Sequence, residues 1–378
     1  MRIDINMKIV FVSNFLNHHQ IPFCEEMIKK VDEFYFIATD NGSSQGYQKT
    51  EIRDYLIDYN TDKVKCESEV LSADAVIFGA CPDELVDLRM KENKLSFIYS
   101  ERIFKKGILR CVIPKNYKML RHRYLNHKHK NLYVLAASAF LPYDLFRIGF
   151  PQNKIFRWGY FPFCQTNDNV EKTSNTILYV GRLLDLKHVE TVIEVARYLK
   201  QDGIDFQVSI VGEGPKEEQL IALKSKYQLD DNVEFVGSKT HDEVLQYMSK
   251  SNIYMFTSDF NEGWGAVLNE AMSNNCAVVA SSAIGSVPFL IKHNVNGMIY
   301  KYGDNKSAYK AVKELLVNKA KAEQMAEKAK QTISCYNYKT AAERLIAGIK
   351  EFYSNGDITP YKCGVFSSVE IIENNWFN

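Results

Sequence analysis

The chain has 378 residues, too many for one ordinary hydrophobic core, so its length favours two domains. Its composition, 46% hydrophobic and 25% charged, excludes a disordered chain. The eight cysteines include no pair closer than fifteen positions, which argues against a zinc site and a disulfide framework. Near the start, an apolar run of about five residues is too short for a signal peptide or a membrane span. We therefore expect a cytoplasmic protein with reduced thiols.

The first half alternates short apolar runs with amphipathic stretches. The runs are KIVFV (8–12), FYFIA (34–38), AVIFG (75–79), SFIYS (96–100) and LYVLAAS (132–138). Strands separated by stretches of helical periodicity predict βαβ units and a parallel sheet. A polar segment, QTNDNVEKTSN (165–175), then reads as a linker, so we place the first domain at 1–165.

A second series of apolar runs follows the linker. These runs are TILYVG (176–181), FQVSIVG (206–212), VEFVG (233–237), IYMFTS (253–258) and AVVASS (277–282). They predict a second doubly wound α/β domain at 170–335, and we expect the remaining 336–378 to be a helix and tail that return to the N-terminal domain. Two such sheets in tandem make an interdomain cleft the expected ligand site.

Two cations follow the first strand of the second series. The strand ends at Gly181, and Arg182 and Lys187 precede the next helix. A guanidinium grips two oxygens and an ammonium acts as a point charge, so the pair suits a diphosphate. For an isolated Arg and Lys, two solvated surface charges remain the alternative interpretation.

A segment with two acidic residues lies further along. Glu262 stands just before a Gly-x-Gly turn, and Glu270 follows eight positions later, a rise of ~12 Å along a helix. Two carboxylates at that separation can bind different hydroxyl groups of one elongated ligand. Backbone N–H groups of Gly263, Trp264, Gly265 and Ala266 would point at phosphate between them, as a nucleotide sugar requires. Taken singly, each Glu could instead be an ordinary helix residue.

Several motifs in one order resemble the retaining glycosyltransferases of family 4, which have the GT-B fold. They are GRLLDLK (181–187), IVGEGP (210–215), VEFVGSKTHDEV (233–244) and EGWGAVLNEA (262–271). The resemblance implies two Rossmann-like domains and transfer of a hexose from a nucleotide-diphosphate sugar to a sugar acceptor, either free or lipid-linked. It also implies a role in bacterial surface polysaccharide or glycoconjugate synthesis.

The resemblance further implies roles for individual residues. Arg182 and Lys187 would bind the donor diphosphate, Glu262 the hydroxyls of the donor sugar, and Glu270 the ribose. The remaining donor-binding residues would be the following: Gly181, Gly212, Gly237, Ser238, Lys239, Gly263, Trp264, Gly265 and Ala266. Family 4 enzymes need no metal, so no cofactor is expected besides the nucleotide sugar. Arg182 and Lys187 would stabilise the leaving diphosphate.

The first half departs from the family pattern. The segment after its first strand, SNFLNHHQIPFCEEM, contains no glycine, which puts the usual phosphate contact of that loop in doubt. Its Asn17, His18 and His19 could bind donor or acceptor, with His19 as a catalytic candidate, or could form a helix-capping turn. After the SFIYS strand, Glu101 could orient an acceptor hydroxyl or take its proton, with Arg102 beside it. A surface Glu101–Arg102 ion pair is the alternative.

Residues 102–130 contain ten Lys or Arg and no Asp or Glu, interleaved with apolar side chains. Such a surface can rest on anionic lipid headgroups, which predicts peripheral attachment to the inner face of the cell membrane. A solvated basic helix is the alternative. Nucleic-acid binding is disfavoured by the net charge of +1 and by the lack of a recognised motif.

Two other functions remain open at this point. One is a nucleotide-sugar epimerase or hydrolase with the GT-B fold, although these usually lack the paired Glu spacing. The other is a nucleotide-sugar-binding protein without transfer activity, against which the presence of Arg182, Lys187, Glu262 and Glu270 argues.

Overall fold

The computed structural model describes residues 6–40, 53–105, 107–109, 113–164 and 170–377. It divides into two compact units, Met1–Phe163 with Tyr336–Ile372, and Cys164–Cys335 with the residues from Glu373. The segment 336–378, expected to return as a whole to the N-terminal domain, is thus divided between the units. The first part of the expected linker, 165–169, lies outside the described residues.

The first unit is built on a seven-stranded parallel sheet in the order β3-β2-β1-β4-β5-β6-β7. Its central strands are apolar on both faces because helices cover both sides of a parallel sheet. The strand order reverses between β1 and β4, and ligands of such sheets bind where the order reverses. The strands are β1 Lys8–Ser13, β2 Glu33–Ala38, β3 Leu56–Asp58, β4 Ala75–Phe78, β5 Ser96–Ser100, β6 Leu132–Ala136 and β7 Ile155–Arg157.

Among the residues that the structure describes, five α-helices of the first unit precede the second unit in the chain. They are α1 Ile21–Ile28, α2 Lys63–Ser72, α3 Asp83–Lys91, α4 Pro114–Arg123 and α5 Leu141–Arg147. Each of α1, α4 and α5 has a proline in its first turn. Proline suits this position because the N–H groups of the first turn have no acceptor within the helix, so the N–H that proline lacks is not missed. The Asp62 side chain caps α2 by accepting from the N–H of Lys65 at 2.9 Å.

The second unit contains a six-stranded parallel sheet in the order β10-β9-β8-β11-β12-β13. The order reverses between β8 and β11, so the loops that follow these two strands lie side by side at the carboxyl edge. The strands are β8 Thr176–Val180, β9 Gln207–Val211, β10 Val233–Gly237, β11 Ile253–Phe256, β12 Ala277–Ser281 and β13 Met298–Tyr300.

In the described part of the second unit, seven α-helices flank the sheet. They are α6 Glu190–Gln201, α7 Glu217–Lys226, α8 His241–Lys250, α9 Val267–Ser273, α10 Val287–Leu290, α11 Asn305–Val317 and α12 Lys319–Ser334. Val192, Ala196 and Leu199 of α6 recur at helical spacing and are fully buried in the core under the sheet. A capping box of Thr240 and Glu243 starts α8.

The chain then returns to the first unit through α13 Tyr338–Asn355, which packs against α1. The Asn337 side chain caps this helix, and Gly356 ends it with φ of 80°. Just before it, the Tyr336 hydroxyl donates to the carbonyl of Trp158. Across the described ranges, none of the helices combines the length and apolar character needed to cross a bilayer.

Candidate active site

Two loops meet at the point where the second sheet reverses its strand order. One follows β8 and carries Lys187, and the other follows β11. The N–H of Asp259 donates to the carbonyl of Leu186 at 2.9 Å, and the Thr257 hydroxyl donates to the carbonyl of Lys187 at 2.6 Å. These bonds fix the backbone that presents Lys187 against the neighbouring loop.

Lys187 and Glu262, both predicted to bind the donor, contact each other directly. The Lys187 ammonium donates to Oε2 of Glu262, and the Ser258 hydroxyl donates to the same oxygen at 3.0 Å. Only 16% and 14% of the two side chains are exposed. The carboxylate therefore balances the charge of the ammonium, and an anion that bound Lys187 would leave Glu262 able to accept from other donors.

Arg182 is exposed, and its guanidinium makes no hydrogen bond or ion pair with the residues that the structure describes. The loops after β8 and β9 come unusually close beside it. A Cβ on Gly212, which has φ of 135°, would lie 2.0 Å from the carbonyl oxygen of Gly181. Glycine at 212 thus allows the close approach of the two loops, and Arg182 remains available for an anion.

The turn between Glu262 and α9 offers backbone donors. Within the described ranges, the N–H groups of Gly263, Gly265 and Ala266 have no acceptor. Gly265 has φ of 78°, and a Cβ there would lie 2.2 Å from the ring of Phe256, so this turn requires glycine. Three such amides are backbone donors of the kind that can bind phosphate.

The Trp264 side chain points away from this set of donors. It is fully buried, and its indole N–H donates to Oδ1 of Asn269 at 2.9 Å. Its carbonyl accepts from the Ser286 hydroxyl at 2.6 Å. The side chain therefore anchors the turn. Any direct contact of Trp264 with the nucleotide sugar would have to be made by its backbone.

Glu270 lies in α9 with only 6% of its surface exposed. Burial raises the pKa of its carboxyl from the usual 4.5 to about 7. The His241 ring lies 3.9 Å away, measured from Nδ1 to Oε1. A carboxyl held in such surroundings is typical of functional sites, where a ligand compensates for the missing solvation.

The residues predicted to lie by the base follow β10. Gly212 donates from its N–H to the carbonyl of Gly237 at 2.9 Å, which ties the loops after β9 and β10 together. The N–H of Ser238 donates to Oε1 of Glu213 at 3.1 Å, and Lys239 is half-buried beside it. Glu213 was not singled out from the sequence, although it lies within the IVGEGP motif.

Sequence reasoning also missed His188, Asp259 and Tyr302. His188 follows Lys187 and has φ of 46°. Its ring lies 2.8 Å from Glu190, 3.4 Å from Asp259 and 3.1 Å from the Tyr302 hydroxyl. The available signal was position alone, because Asp259 follows directly on the predicted strand IYMFTS.

In the first unit, Glu101 follows β5 and has two partners. It accepts from the Tyr160 hydroxyl and from the Lys105 ammonium, each at 2.6 Å. The alternative Glu101–Arg102 pair is wrong, because Arg102 is 6% exposed and pairs with Asp144 at 3.2 Å. The expectation that Arg102 contacts an acceptor also needs correction, because its guanidinium is buried and pairs with Asp144.

The segment 17–20 forms a turn before α1. The Asn17 side chain accepts from the N–H groups of His19 and Gln20 at 3.1 and 3.2 Å, which closes a polar turn. The N-cap of α1 is Gln20, and no side chain caps the helix there, so the structure does not bear out the capping interpretation. The rings of His18 and His19 lie 3.6 Å apart, and His19 stacks on Tyr160 at 5.2 Å. Tyr160, missed from the sequence, thus contacts both His19 and Glu101.

Comparison with known proteins identifies the second half. Residues 165–332 match the family described as Glycosyl transferases group 1. This match covers less than half of the chain. The predicted resemblance to family 4 glycosyltransferases is thereby confirmed at the level of a glycosyltransferase domain.

Curated relatives match over part of their length. The amylovoran biosynthesis glycosyltransferase AmsK of Erwinia amylovora is 31% identical over 204 residues, which cover 49% of this chain and 50% of AmsK. The putative colanic acid biosynthesis glycosyltransferase WcaL of Escherichia coli K12 is 32% identical over 133 residues, covering 34% of this chain and 32% of WcaL. The matching part of the chain thus spans half or less of the length of these relatives.

Solved structures extend the fold comparison to both units. Anabaena Alr3699/HepE, crystallised in complex with UDP, superposes with a TM-score of 0.69 at 15% identity, covering 91% of this chain and 100% of that one. At that identity the likeness concerns the fold. Together with the two parallel sheets, it confirms the predicted GT-B architecture.

Proposed function

We propose that the protein is a retaining, metal-independent hexosyltransferase. It would move a hexose from a nucleoside-diphosphate sugar to a free or lipid-linked sugar acceptor in the synthesis of a bacterial surface polysaccharide or glycoconjugate. The observation that carries the proposal is the paired Lys187 and Glu262 at the strand-order reversal of a group 1 glycosyltransferase domain. Arg182 and the backbone donors of the 263–266 turn adjoin this pair in sequence.

The mechanism follows from charge development. As the bond from the anomeric carbon to the diphosphate breaks, positive charge grows on the sugar and negative charge on the diphosphate. Arg182, Lys187 and the turn amides would stabilise that diphosphate, which is the task a metal ion performs in other enzymes. The diphosphate would replace Glu262 as the partner of Lys187. The released carboxylate would then accept hydrogen bonds from hydroxyl groups of the sugar. Glu270 would accept from the ribose.

A donor panel tests the proposal. The protein is incubated with UDP- and GDP-sugars, with and without glycan acceptors and with EDTA, and release of nucleoside diphosphate is measured. We expect acceptor-dependent release that EDTA does not abolish. Release without acceptor would instead indicate a hydrolase, and binding without release a non-catalytic binding protein.

A substitution tests the assignment of Lys187. We expect Lys187→Ala to keep its circular dichroism spectrum and lose most turnover. Lys313→Ala is the matched control, because Lys313 also pairs with an acidic residue, Asp202, but on the flank formed by α6 and α11. Full turnover by Lys187→Ala would contradict the assignment.

The first unit is proposed to bind the acceptor through Glu101 and the turn of Asn17, His18 and His19. Glu101 is 28% exposed and held by two donors, so it can accept an acceptor hydroxyl in a fixed orientation. We expect Glu101→Gln to raise the acceptor KM more than the donor KM. Glu84→Gln, at an exposed position of the same unit, is the control. Equal changes in both KM values would contradict this role.

The basic tract is proposed to attach the protein to the inner face of the membrane. Leu109, Ile113 and Tyr117 are 80%, 46% and 50% exposed, beside the exposed Lys115 and Lys118 of α4. Apolar side chains flanked by cations suit the interface of an anionic bilayer. Residues 106 and 110–112 of the tract lie outside the described residues.

Vesicle sedimentation tests this attachment. We expect the protein to pellet with phosphatidylglycerol vesicles and not with phosphatidylcholine vesicles. A Lys115→Glu/Lys118→Glu variant should stay in the supernatant, whereas Lys63→Glu/Lys65→Glu on the exposed face of α2 should pellet as before. Equal pelleting with both vesicle types would remove the membrane role.

A further inference from the structure

His188 connects three parts of the second unit. Its Nδ1 lies 2.8 Å from Oε1 of Glu190 in α6, and its Nε2 lies 3.4 Å from Oδ2 of Asp259 in the loop after β11. Nε2 also lies 3.1 Å from the hydroxyl of Tyr302, which follows β13. A single imidazole thus joins the turn that carries Lys187 to three neighbouring elements.

The backbone at His188 is in the left-handed region, with φ of 46° and ψ of 47°. This conformation is unfavourable for a residue other than glycine, so the contacts of the His188 ring must hold the turn in place. The turn closes the short 3₁₀ helix Asp185–Lys187. Its geometry therefore determines where the Lys187 side chain begins.

The charges around His188 favour the imidazolium. Glu190 and Asp259 face it from two elements, Tyr302 is neutral, and Asp185 of the same turn is paired with Lys216 at 2.7 Å. The hydrogen bond with Glu190 and the nearby carboxylates raise the pKa of His188 above its usual 6.5, although burial opposes the rise. Both ring nitrogens of an imidazolium donate, whereas a neutral ring donates from one only.

We propose that His188 is a positioning residue for donor binding, and that its protonated ring fixes the turn from which Lys187 reaches the donor diphosphate. When Nε2 loses its proton it no longer donates to Asp259, and its lone pair can accept only from the Tyr302 hydroxyl. The turn then loosens, and the protein binds the nucleoside diphosphate less tightly. This inference rests on the proposed function.

Two variants separate the imidazole from the backbone conformation. Asn and Gly both tolerate the left-handed region, so His188→Asn and His188→Gly remove the ring without adding backbone strain. Gln228→Gly is the matched control, because Gln228 is an exposed residue of the same unit with φ of 54°. Circular dichroism verifies that each variant is folded.

Binding of UDP and GDP is measured by calorimetry between pH 6 and 8.5. Because the terminal phosphate titrates near pH 6, the informative quantity is the ratio of wild-type to variant affinity at each pH, in which the titration of the ligand cancels. We expect both His188 variants to bind about fivefold more weakly at pH 6, with a ratio that approaches one at high pH. Gln228→Gly should bind as the wild type does.

A second measurement uses the wild-type protein, and the His188→Asn variant serves only to assign the NMR signal. The Cε1 proton of His188, identified by its loss in His188→Asn, is titrated by NMR with and without bound nucleotide. Linkage requires that a nucleotide which binds the protonated form better raises the pKa of His188. An unmoved pKa, or an affinity ratio independent of pH, overturns the role of His188. A wild-type protein that binds no nucleotide overturns the proposed function as well.

Discussion

Glu270 provides the sharpest test of the site, because its effects on stability and on binding should have opposite signs. Its carboxyl is 6% exposed, and burial raises its pKa from 4.5 to about 7. Between these pH values the folded chain keeps a proton that the unfolded chain has released. The free energy of unfolding therefore falls as the pH rises through this interval.

The magnitude follows from the two pKa values. Ionising Glu270 costs about 3 kcal/mol more in the folded chain than in the unfolded chain. Glutamine has the same shape and never ionises. We therefore expect Glu270→Gln to be more stable than the wild type by about 3 kcal/mol at pH 8 and by only about 1 kcal/mol at pH 5.

Urea unfolding followed by tryptophan fluorescence measures this difference. A Trp158→Phe background leaves Trp264 and Trp376 as the reporters, and both belong to the second unit. Glu234→Gln, at an exposed position of β10, is the control for removing a negative charge. A stability difference that stays constant from pH 5 to pH 8 would refute the reasoning.

The same substitution should weaken nucleotide binding. A carboxylate that accepts from ribose hydroxyls makes charge-assisted hydrogen bonds, so we expect Glu270→Gln to bind nucleoside diphosphates about tenfold more weakly. Calorimetry at pH 8 measures this loss. Unchanged affinity in a stabilised variant would place the ribose elsewhere.

Three further predictions concern other contacts. Lys187→Met should lower the free energy of unfolding of the second unit by about 1–2 kcal/mol, because it leaves the largely buried Glu262 without its cation. Urea unfolding of Lys187→Met, Glu262→Gln and the double variant measures the coupling between the two residues. Additive effects of the two substitutions would contradict the prediction. Gly265→Ala should cost about 2–4 kcal/mol, since its Cβ would meet the Phe256 ring at a φ of 78°; an unchanged melting temperature would argue against this turn. Arg89→Met should destabilise the first unit by about 3–5 kcal/mol, because the fully buried guanidinium donates to four backbone carbonyl groups. Thermal unfolding followed by Trp158 fluorescence measures the loss of stability. A loss below about 1 kcal/mol would contradict this explanation.

The sequence predicted the central strands well, because strands of a parallel sheet are buried on both faces and appear as continuous apolar runs. The run at 96–100 is β5, and the run at 34–38 lies within β2. The edge strands β3, β7 and β13 were missed. Each has three residues, which is too short to produce an apolar run or a clear alternation.

Two of the residues predicted to bind the donor lie in contact with each other. Lys187 and Glu262 were both singled out, and the structure brings them into contact across 75 positions. Their direct pairing was not predicted, because it depends on loop conformations that spacing does not determine. Arg102 shows the converse: a cation in a basic tract suggests the surface, whereas Asp144, 42 positions later, draws it into the core.

Two costs of the second unit lie together after β11, at the carboxyl edge of its sheet. They are the buried carboxyl of Glu270 and the backbone N–H groups of Gly263, Gly265 and Ala266, which find no acceptor among the described residues. Each feature lowers stability, and none is needed to close the core beneath the sheet. A ligand that carries hydroxyl groups and a diphosphate would compensate for the buried carboxyl and the open N–H groups at once. The distribution of these costs therefore supports a nucleotide sugar more strongly than does any one of the residues.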